Sequence, residues 1–198
     1  MISIKKQPMG EYQTNCYIAT IDGKDFIIDP GVGATEWVKQ NVINPIAILN
    51  THGHFDHVWS NAQLQNELKI PLYTPKDDVM LLSESSWMKD LPPSTPDIEV
   101  MPNEEIDFNG IKVKFHHFSG HTPGCSMIEI DDAVFSGDFI FERSIGRCDF
   151  PYSSPADMKE SLLRFKELSF DKTLYPGHGN TTTIKQEQQY VDYWVKNI

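Results

Sequence analysis

The chain has 198 residues and a formal net charge of −11, with 17 Lys and Arg against 28 Asp and Glu. Its length favours one domain, residues 1–198, and its acidic surplus argues against nucleic acid as a partner, because phosphate binding depends on clustered cations. The three cysteines include no C-x-x-C pair, which favours free thiols. No apolar stretch approaches the roughly 20 residues needed to cross a bilayer, so we expect no membrane insertion. No apolar segment follows the basic residues at the start, which favours a cytoplasmic location.

Short strands joined by tight turns are predicted for the first half of the chain. Apolar runs at residues 15–20 and 25–29 flank Asp22 and Gly23, a pair typical of hairpins. The pattern then predicts a helix at 35–41, a buried strand at 45–50 and a helix at 58–68. The strand at 45–50 leads into the run 51–57, so that this run lies at the carboxyl end of a strand, where α/β sheets place their sites.

The second half repeats this pattern after a long connection. Residues 83–103, rich in Ser, Pro and Asp, are predicted to form a connecting loop, and the alternative is a flap that carries Trp87 and Met88. The pattern predicts strands at 111–118, 126–130 and 133–136, a helix that begins after the N-cap Ser154, and one terminal helix over 182–198. Two blocks of strands, each followed by helix, predict sheets packed on each other with helices outside.

The run 51–57, Thr-His-Gly-His-Phe-Asp-His, concentrates side chains that bind metals. Its three imidazoles (His52, His54 and His57) and its carboxylate (Asp56) are ligands that zinc and similar divalent cations take. Four protein ligands would crowd one catalytic ion, which must keep a position open for water, so the spacing suggests two ions. The alternative is a solvated polar loop without a function.

Three more residues of ligand type follow predicted strands. His121 lies in a Gly/Pro turn at 120–125, Asp138 follows the strand at 133–136, and His178 lies in the run 175–179. Each of them alone is more typical of an ordinary polar turn. Together with the first run they make seven candidate ligands: His52, His54, Asp56, His57, His121, Asp138 and His178.

With these motifs the sequence resembles the metallo-β-lactamase fold superfamily and, within it, the short glyoxalase II-like branch. The resemblance rests on residues 15–17 and 29–31 and on the T-H-x-H-x-D-H, G-H-T-P-G, S-G-D and P-G-H-G motifs. It implies an α/β (α+β) chain folded as an αββα four-layer sandwich, with two mixed β-sheets and helices on the outer faces. It also implies two divalent metal ions, zinc first and iron or manganese as alternatives. The implied ligands are His52, His54 and His121 for one ion and Asp56, His57 and His178 for the other, with Asp138 as the bridge.

The activity that the resemblance implies is hydrolysis of a small hydroxyacyl thioester of the S-lactoylglutathione type by a metal-bridging hydroxide. Asp56 is then both a ligand and the catalytic residue that orients the water, and Asp29 or backbone carbonyls are expected to fix the imidazole tautomers. Only 20 residues follow His178, so the glutathione-binding extension of longer family members is expected to be missing. The expected partner is the small-molecule thioester, and the oligomeric state stays open.

Two arginines follow Asp138, and both are candidates for binding a substrate carboxylate. They are Arg143 and Arg147, and for Arg147 the alternative is an ion pair with Asp149 that braces the loop. Cys125 and Cys148 are expected to pack rather than react, and His116 and His117 are expected to be structural or surface groups.

Two other activities remain open from the sequence. A mononuclear Fe(II) persulfide dioxygenase would use His52, His121 and Asp138 as two histidines and one carboxylate on a single ion. A metal-dependent lactonase or β-lactamase-like hydrolase would use the same ligands as the thioester hydrolase on a different substrate.

Overall fold

The structure is a computed structural model that describes residues 1–83 and 89–198. The chain divides into two units, Met1–Met101 and Pro102–Ile198, and each contains one six-stranded sheet. Both sheets are mixed, and helices accompany each of them. The predicted fold class, an α/β chain with two mixed sheets, is therefore confirmed, whereas the single domain over residues 1–198 stays a prediction.

The sheet of the first unit follows the order of the chain. Its strands are β1 (Ser3–Met9), β2 (Thr14–Ile21), β3 (Lys24–Ile28), β4 (Pro45–Leu49), β5 (Leu72–Pro75) and β6 (Ile98–Val100). The first three are antiparallel, and β3 to β6 are parallel. Because Ile28 of β3 pairs with Leu49 of β4, the segments that follow these two strands start side by side.

The helices of this unit are α1 (Ala34–Asn41), α2 (Phe55–Val58), α3 (Asn61–Leu68) and a 3-10 helix (Lys76–Leu82). The helix predicted over 58–68 is corrected: helical structure begins inside the histidine run and is interrupted after α2. Ser60 explains the interruption, since its N–H donates to the carbonyl of Pro30 at 3.0 Å and its hydroxyl donates to the carbonyl of Gly31 at 2.7 Å. These contacts hold the start of α3 against the loop that follows β3.

The predicted loop at 83–103 also needs correction, because it contains β6. That strand has three residues and pairs with β5 in parallel, which is too short for an alternating pattern to reveal it. The flap alternative centred on Trp87 and Met88 lies outside the described residues.

The sheet of the second unit has the order β14-β13-β10-β9-β8-β7. Its strands are β7 (Glu105–Asp107), β8 (Lys112–His117), β9 (Ser126–Ile130), β10 (Ala133–Gly137), β13 (Thr173–Pro176) and β14 (Thr182–Thr183), and a separate hairpin is formed by β11 (Ile140–Phe141) and β12 (Ser144–Ile145). The strands β10 and β13 are parallel neighbours. The segments that follow them, which carry Asp138 and His178, therefore leave the same edge.

The helices of the second unit are α4 (Pro155–Lys166), α5 (Ile184–Gln188) and α6 (Val191–Asn197). The Ser154 side chain accepts a hydrogen bond from the N–H of Asp157 at 3.2 Å, which confirms the predicted N-cap. On α4 the side chains of Met158, Leu162 and Phe165 are fully buried in the core of this unit.

The single helix predicted over 182–198 is wrong, because this segment contains one short strand and two helices. The Thr183 side chain caps α5 through the N–H of Gln186 at 3.2 Å, and a break at residues 189–190 separates α5 from α6. Val191 is fully buried in the core of this unit, and Trp194 packs against it. Within the described ranges, no helix is long and apolar enough to cross a membrane.

Candidate metal centre

The histidine run of the first unit is buried. His52 and His57 are fully buried, His54 and Asp56 nearly so, and the run follows the carboxyl end of β4 as predicted. The alternative of a solvated polar loop is therefore wrong. Buried imidazoles need hydrogen-bond or metal partners, because burial without a partner costs free energy.

Asp29, which follows β3, fixes the proton positions of two of these imidazoles. Its carboxylate accepts hydrogen bonds from the N–H of Thr51 at 2.8 Å, from the hydroxyl of Thr51 at 2.6 Å and from Nδ1 of His57 at 2.9 Å. The single hydroxyl proton of Thr51 is used in this contact, so Nδ1 of His52, 3.0 Å from the same hydroxyl oxygen, must donate to it. Both imidazoles consequently carry their proton on Nδ1 and present a lone pair on Nε2.

The lone pair of His57 faces a carboxylate. Nε2 of His57 lies 3.6 Å from Oδ2 of Asp56, and that oxygen accepts a hydrogen bond from the hydroxyl of Thr14 at 2.6 Å. Two electron-pair donors pointed at each other repel unless a cation or a proton lies between them. The neutral imidazole and the carboxylate are both ligands for a divalent cation, so this donor set fits a metal ion.

Asp29, His52 and His57 also place ligand-type atoms within 4.8 Å of one another. We assign Asp29 to orienting rather than to ligation, because its two oxygens already accept three hydrogen bonds. A carboxylate behind a metal-binding histidine is the usual arrangement, since it sets the tautomer and raises the basicity of the ligand.

Tight packing holds the backbone of this run. The N–H of Gly53 donates to Oδ2 of Asp78 at 2.9 Å, and a Cβ at Gly53 would lie 2.8 Å from the carbonyl oxygen of Asp78. A Cβ at Gly31 would collide with the carbonyl oxygen of Asp56. Sequence reasoning missed Asp78, a fully buried residue of the 3-10 helix, because nothing local links it to a loop 25 positions earlier.

In the second unit the structure brings together His121, Asp138 and His178. Oδ2 of Asp138 lies 3.5 Å from Nε2 of His121 and 3.3 Å from Nε2 of His178. The parallel pairing of β10 with β13 accounts for the contact with His178, and the N–H of Gly177 donates to the carbonyl of Gly137 at 2.8 Å to hold the two loops together. One carboxylate therefore contacts two imidazoles.

The tautomer of His121 is also fixed, in this case by the backbone. Nδ1 of His121 lies 2.7 Å from the carbonyl oxygen of Arg147, which can only accept, so Nδ1 carries the proton. Its Nε2 lone pair then faces Asp138, which repeats the arrangement at His57 and Asp56. The expectation that Asp29 and backbone carbonyls fix the tautomers is confirmed at His57 and His121.

Gly146 is part of the same packing and was missed by sequence reasoning. A Cβ at this position would collide with the carbonyl oxygen of Asp138 and would lie 3.0 Å from Nδ1 of His121. Only glycine therefore lets the chain pass behind these two candidate ligands directly after β12.

The two arginines differ in their surroundings. Arg147 donates two hydrogen bonds of 2.9 Å to Asp149, and its guanidinium lies 4.3 Å from the ring centre of Phe150. This is the bracing ion pair that the sequence left open, and it lowers the pKa of Asp149. Arg143 is exposed at a positive φ of 54°, and its N–H donates to the buried Glu187 at 2.8 Å. The substrate contacts of Arg143 and Arg147 stay predictions.

The histidines and cysteines outside the ligand set have structural surroundings. Nε2 of His116 lies 2.6 Å from Glu129, and Nε2 of His117 lies 2.8 Å from the carbonyl of Pro123. Cys125 is fully buried in the core, and burial, followed by the charge of Asp149, raises the pKa of Cys148. A raised pKa lowers the thiolate fraction, so the Cys148 thiol is not activated as a nucleophile.

Comparisons with known proteins identify the family of this chain. The sequence profile of the family described as the metallo-beta-lactamase superfamily matches residues 9–178, a range that includes all seven candidate ligands. Hydroxyacylglutathione hydrolase GloC of Haemophilus influenzae is 31% identical over 204 residues, which cover 95% of this chain and 96% of that protein.

Two solved structures are similar over nearly the whole chain. The crystal structure of BLEG-1 B3 metallo-beta-lactamase is 28% identical with a TM-score of 0.86, covering 97% of this chain and 99% of that one. The crystal structure of TTHA1623 in a di-iron-bound form is 30% identical with a TM-score of 0.80, covering 92% and 96% of the two chains.

Proposed function

The chain belongs to the metallo-β-lactamase superfamily, and from that premise we propose that it is a dinuclear metal-dependent hydrolase of the glyoxalase II type. Its substrate in this proposal is a small hydroxyacyl thioester such as S-lactoylglutathione. The observation that carries the proposal is the repeated pairing of a tautomer-fixed imidazole lone pair with a carboxylate, at His57 with Asp56 and at His121 with Asp138. Members of this superfamily are generally metal-dependent hydrolases.

In this proposal the seven candidate ligands bind two divalent ions. We assign His52, His54 and His121 to one ion, Asp56, His57 and His178 to the other, and Asp138 to both. Support comes from Asp138, since one of its oxygens contacts His121 and His178, one imidazole of each proposed set. Zinc is the first choice for imidazole and carboxylate ligands, and iron suits the same ligands. The di-iron form of the similar TTHA1623 supports two ions and keeps iron as an alternative.

Two bound ions would supply a hydroxide at neutral pH and polarise the thioester carbonyl. Asp56 is the proposed catalytic residue, which holds and orients the attacking water. The hydroxyl of Thr14 fixes the Asp56 carboxylate by its 2.6 Å hydrogen bond, so the water would meet a pre-oriented acceptor. The leaving thiol has a pKa of about 8.5, and it departs as a thiolate without a strong general acid. No acid need therefore be assigned on the leaving-group side.

The thioester as substrate is supported by the likeness to hydroxyacylglutathione hydrolase GloC, which extends over 96% of that protein. The likeness to BLEG-1, whose structure is that of a B3 metallo-beta-lactamase, makes a β-lactam the competing substrate. Both reactions are acyl transfers to water, so the substrate has to be decided by assay.

The test is metal analysis combined with a substrate panel on the full chain. The protein, reconstituted in turn with zinc, iron and manganese, is expected to bind two ions per chain and to release thiol from S-lactoylglutathione. No more than one tightly bound ion under any of these conditions would contradict the dinuclear centre. In the absence of thioester cleavage, oxygen uptake with glutathione persulfide would identify a persulfide dioxygenase instead of a thioester hydrolase. Hydrolysis of a β-lactam without thioester cleavage would identify a β-lactamase.

A further inference from the structure

We infer that a pocket beside His178 binds the free ammonium group of the thiol half of the substrate. The inference rests on the proposed thioester hydrolase. The pocket has a volume of about 230 Å³ and is lined by Phe141, Glu142, His178, Gly179 and Asn180. It lies in the second unit and includes one of the candidate ligands.

The polar groups of this pocket are suited to a cation. The Glu142 carboxylate accepts a hydrogen bond from the side-chain nitrogen of Asn180 at 3.1 Å, so the amide oxygen is the acceptor end of Asn180. An ammonium group has three donors and no acceptor, which matches two acceptors on one wall. The Phe141 ring, 6.0 Å from the ring of His178, adds an aromatic surface of the kind that attracts cations.

The wall that carries Glu142 is held in place by a buried residue. Arg143, the next residue of the β11–β12 turn, donates its N–H to Glu187, and Glu187 also accepts the hydroxyl proton of Thr182 at 2.5 Å. Glu187 is only 1% exposed. The turn is therefore fixed before any ligand arrives, which lowers the ordering cost of binding.

The ammonium group has to belong to the thiol half, because a small hydroxyacyl group has no cationic part. The α-amino group of a peptide-type thiol such as glutathione fits this description. A phosphorylated thiol carrier is disfavoured by Glu142 and by the net charge of −11.

The test compares S-lactoylglutathione with its N-acetyl derivative, which has a neutral amide in place of the ammonium group. Exposed ion pairs are weak, so we expect the ratio of the two kcat/KM values to be about two- to fivefold in favour of the free amine. The ratio should fall to about one in Glu142→Gln and invert in Glu142→Lys, and it should shrink at high salt. The matched control is Glu160→Gln, an exposed residue of α4 whose loss should leave the ratio as it is.

A binding measurement separates this inference from the proposed activity. S-methylglutathione cannot be hydrolysed, and we expect it to shift the side-chain amide resonances of Asn180 more than N-acetyl-S-methylglutathione does, in the wild type but not in Glu142→Gln. Equal shifts from both ligands, or a kcat/KM ratio unaffected by Glu142→Gln, would overturn the ammonium pocket while leaving the hydrolase intact. Selective binding without thioester cleavage would instead refute the hydrolase and keep the pocket.

Discussion

Replacing Asp29 with Asn should reverse the tautomers of two candidate ligands in one step. The amide nitrogen is expected at the position of Oδ2, because the other orientation would point it at the N–H of Thr51. It would then donate to Nδ1 of His57 and to the hydroxyl of Thr51. The Thr51 hydroxyl would in turn donate to Nδ1 of His52. Both imidazoles would carry their proton on Nε2, where a metal ligand needs a lone pair.

The size of the effect follows from the number of ligands affected. Loss of one carboxylate that orients a metal-binding histidine costs about 10- to 100-fold in metal affinity, or roughly 1.4–2.7 kcal/mol. His52 and His57 are assigned to different proposed ions, so Asp29→Asn should lower the affinity for each ion by about this factor. The side chain keeps its size, and the packing around it should change little.

The assay is competition for zinc against a chromophoric chelator, with folding followed separately by circular dichroism. Asp25→Asn is the matched control, because Asp25 is also buried, lies in β3, and accepts three hydrogen bonds, from Thr20 and from the N–H groups of Ile43 and Asn44. The control should lose stability and keep its zinc affinity. Wild-type zinc affinity in folded Asp29→Asn would refute the tautomer argument.

The other predictions concern packing, pH and activity. Gly146→Ala should destabilise the fold by at least the ~1–3 kcal/mol typical of overpacking, because its Cβ would collide with the carbonyl of Asp138, and thermal unfolding of the metal-free protein should show the loss. The pKa of Asp25 is lowered: burial would raise it, but the hydrogen bonds that it accepts outweigh burial. Asp25 therefore stabilises the fold above its usual pKa of 3.8, and this contribution is lost as the pH falls through the lowered value. Urea midpoints of wild type and Asp25→Asn should converge as the medium is acidified. Asp138→Ala should reduce thioester cleavage by several orders of magnitude, since metal charge stabilisation supplies ~several kcal/mol. His116→Ala should reduce it far less, and comparable losses would contradict the assignment.

The sequence predicts the elements whose signals are local. Apolar and polar residues alternate over residues 111–116, where β8 forms, and Ser154 with Pro155 marks the start of α4, because alternation and capping depend only on neighbouring residues. The strands β5 and β6 have four and three residues, too few for a periodic pattern. They form because parallel neighbours in the sheet supply their hydrogen bonds.

The same distinction applies to the candidate site. Histidines and carboxylates in dense motifs are visible in the sequence, and so is Asp29 as a candidate partner of the imidazoles. Asp78, Gly146 and Glu187 are not visible, since each acts on a segment at least eight positions away in the chain through a contact that only the folded chain creates. Residues that orient others are thus harder to read from sequence than residues that bind.

The carbonyl of Arg147 that fixes His121 has a consequence for how this loop can vary. The oxygen belongs to the main chain, so every amino acid at position 147 would supply it, and a side-chain scan would not detect its contribution. Substitutions of Arg147 and of its partner Asp149 can therefore accumulate while the imidazole keeps its proton on Nδ1. The side chains of this surface can therefore vary through evolution, or be redesigned in the laboratory, while the main-chain contact to His121 is retained.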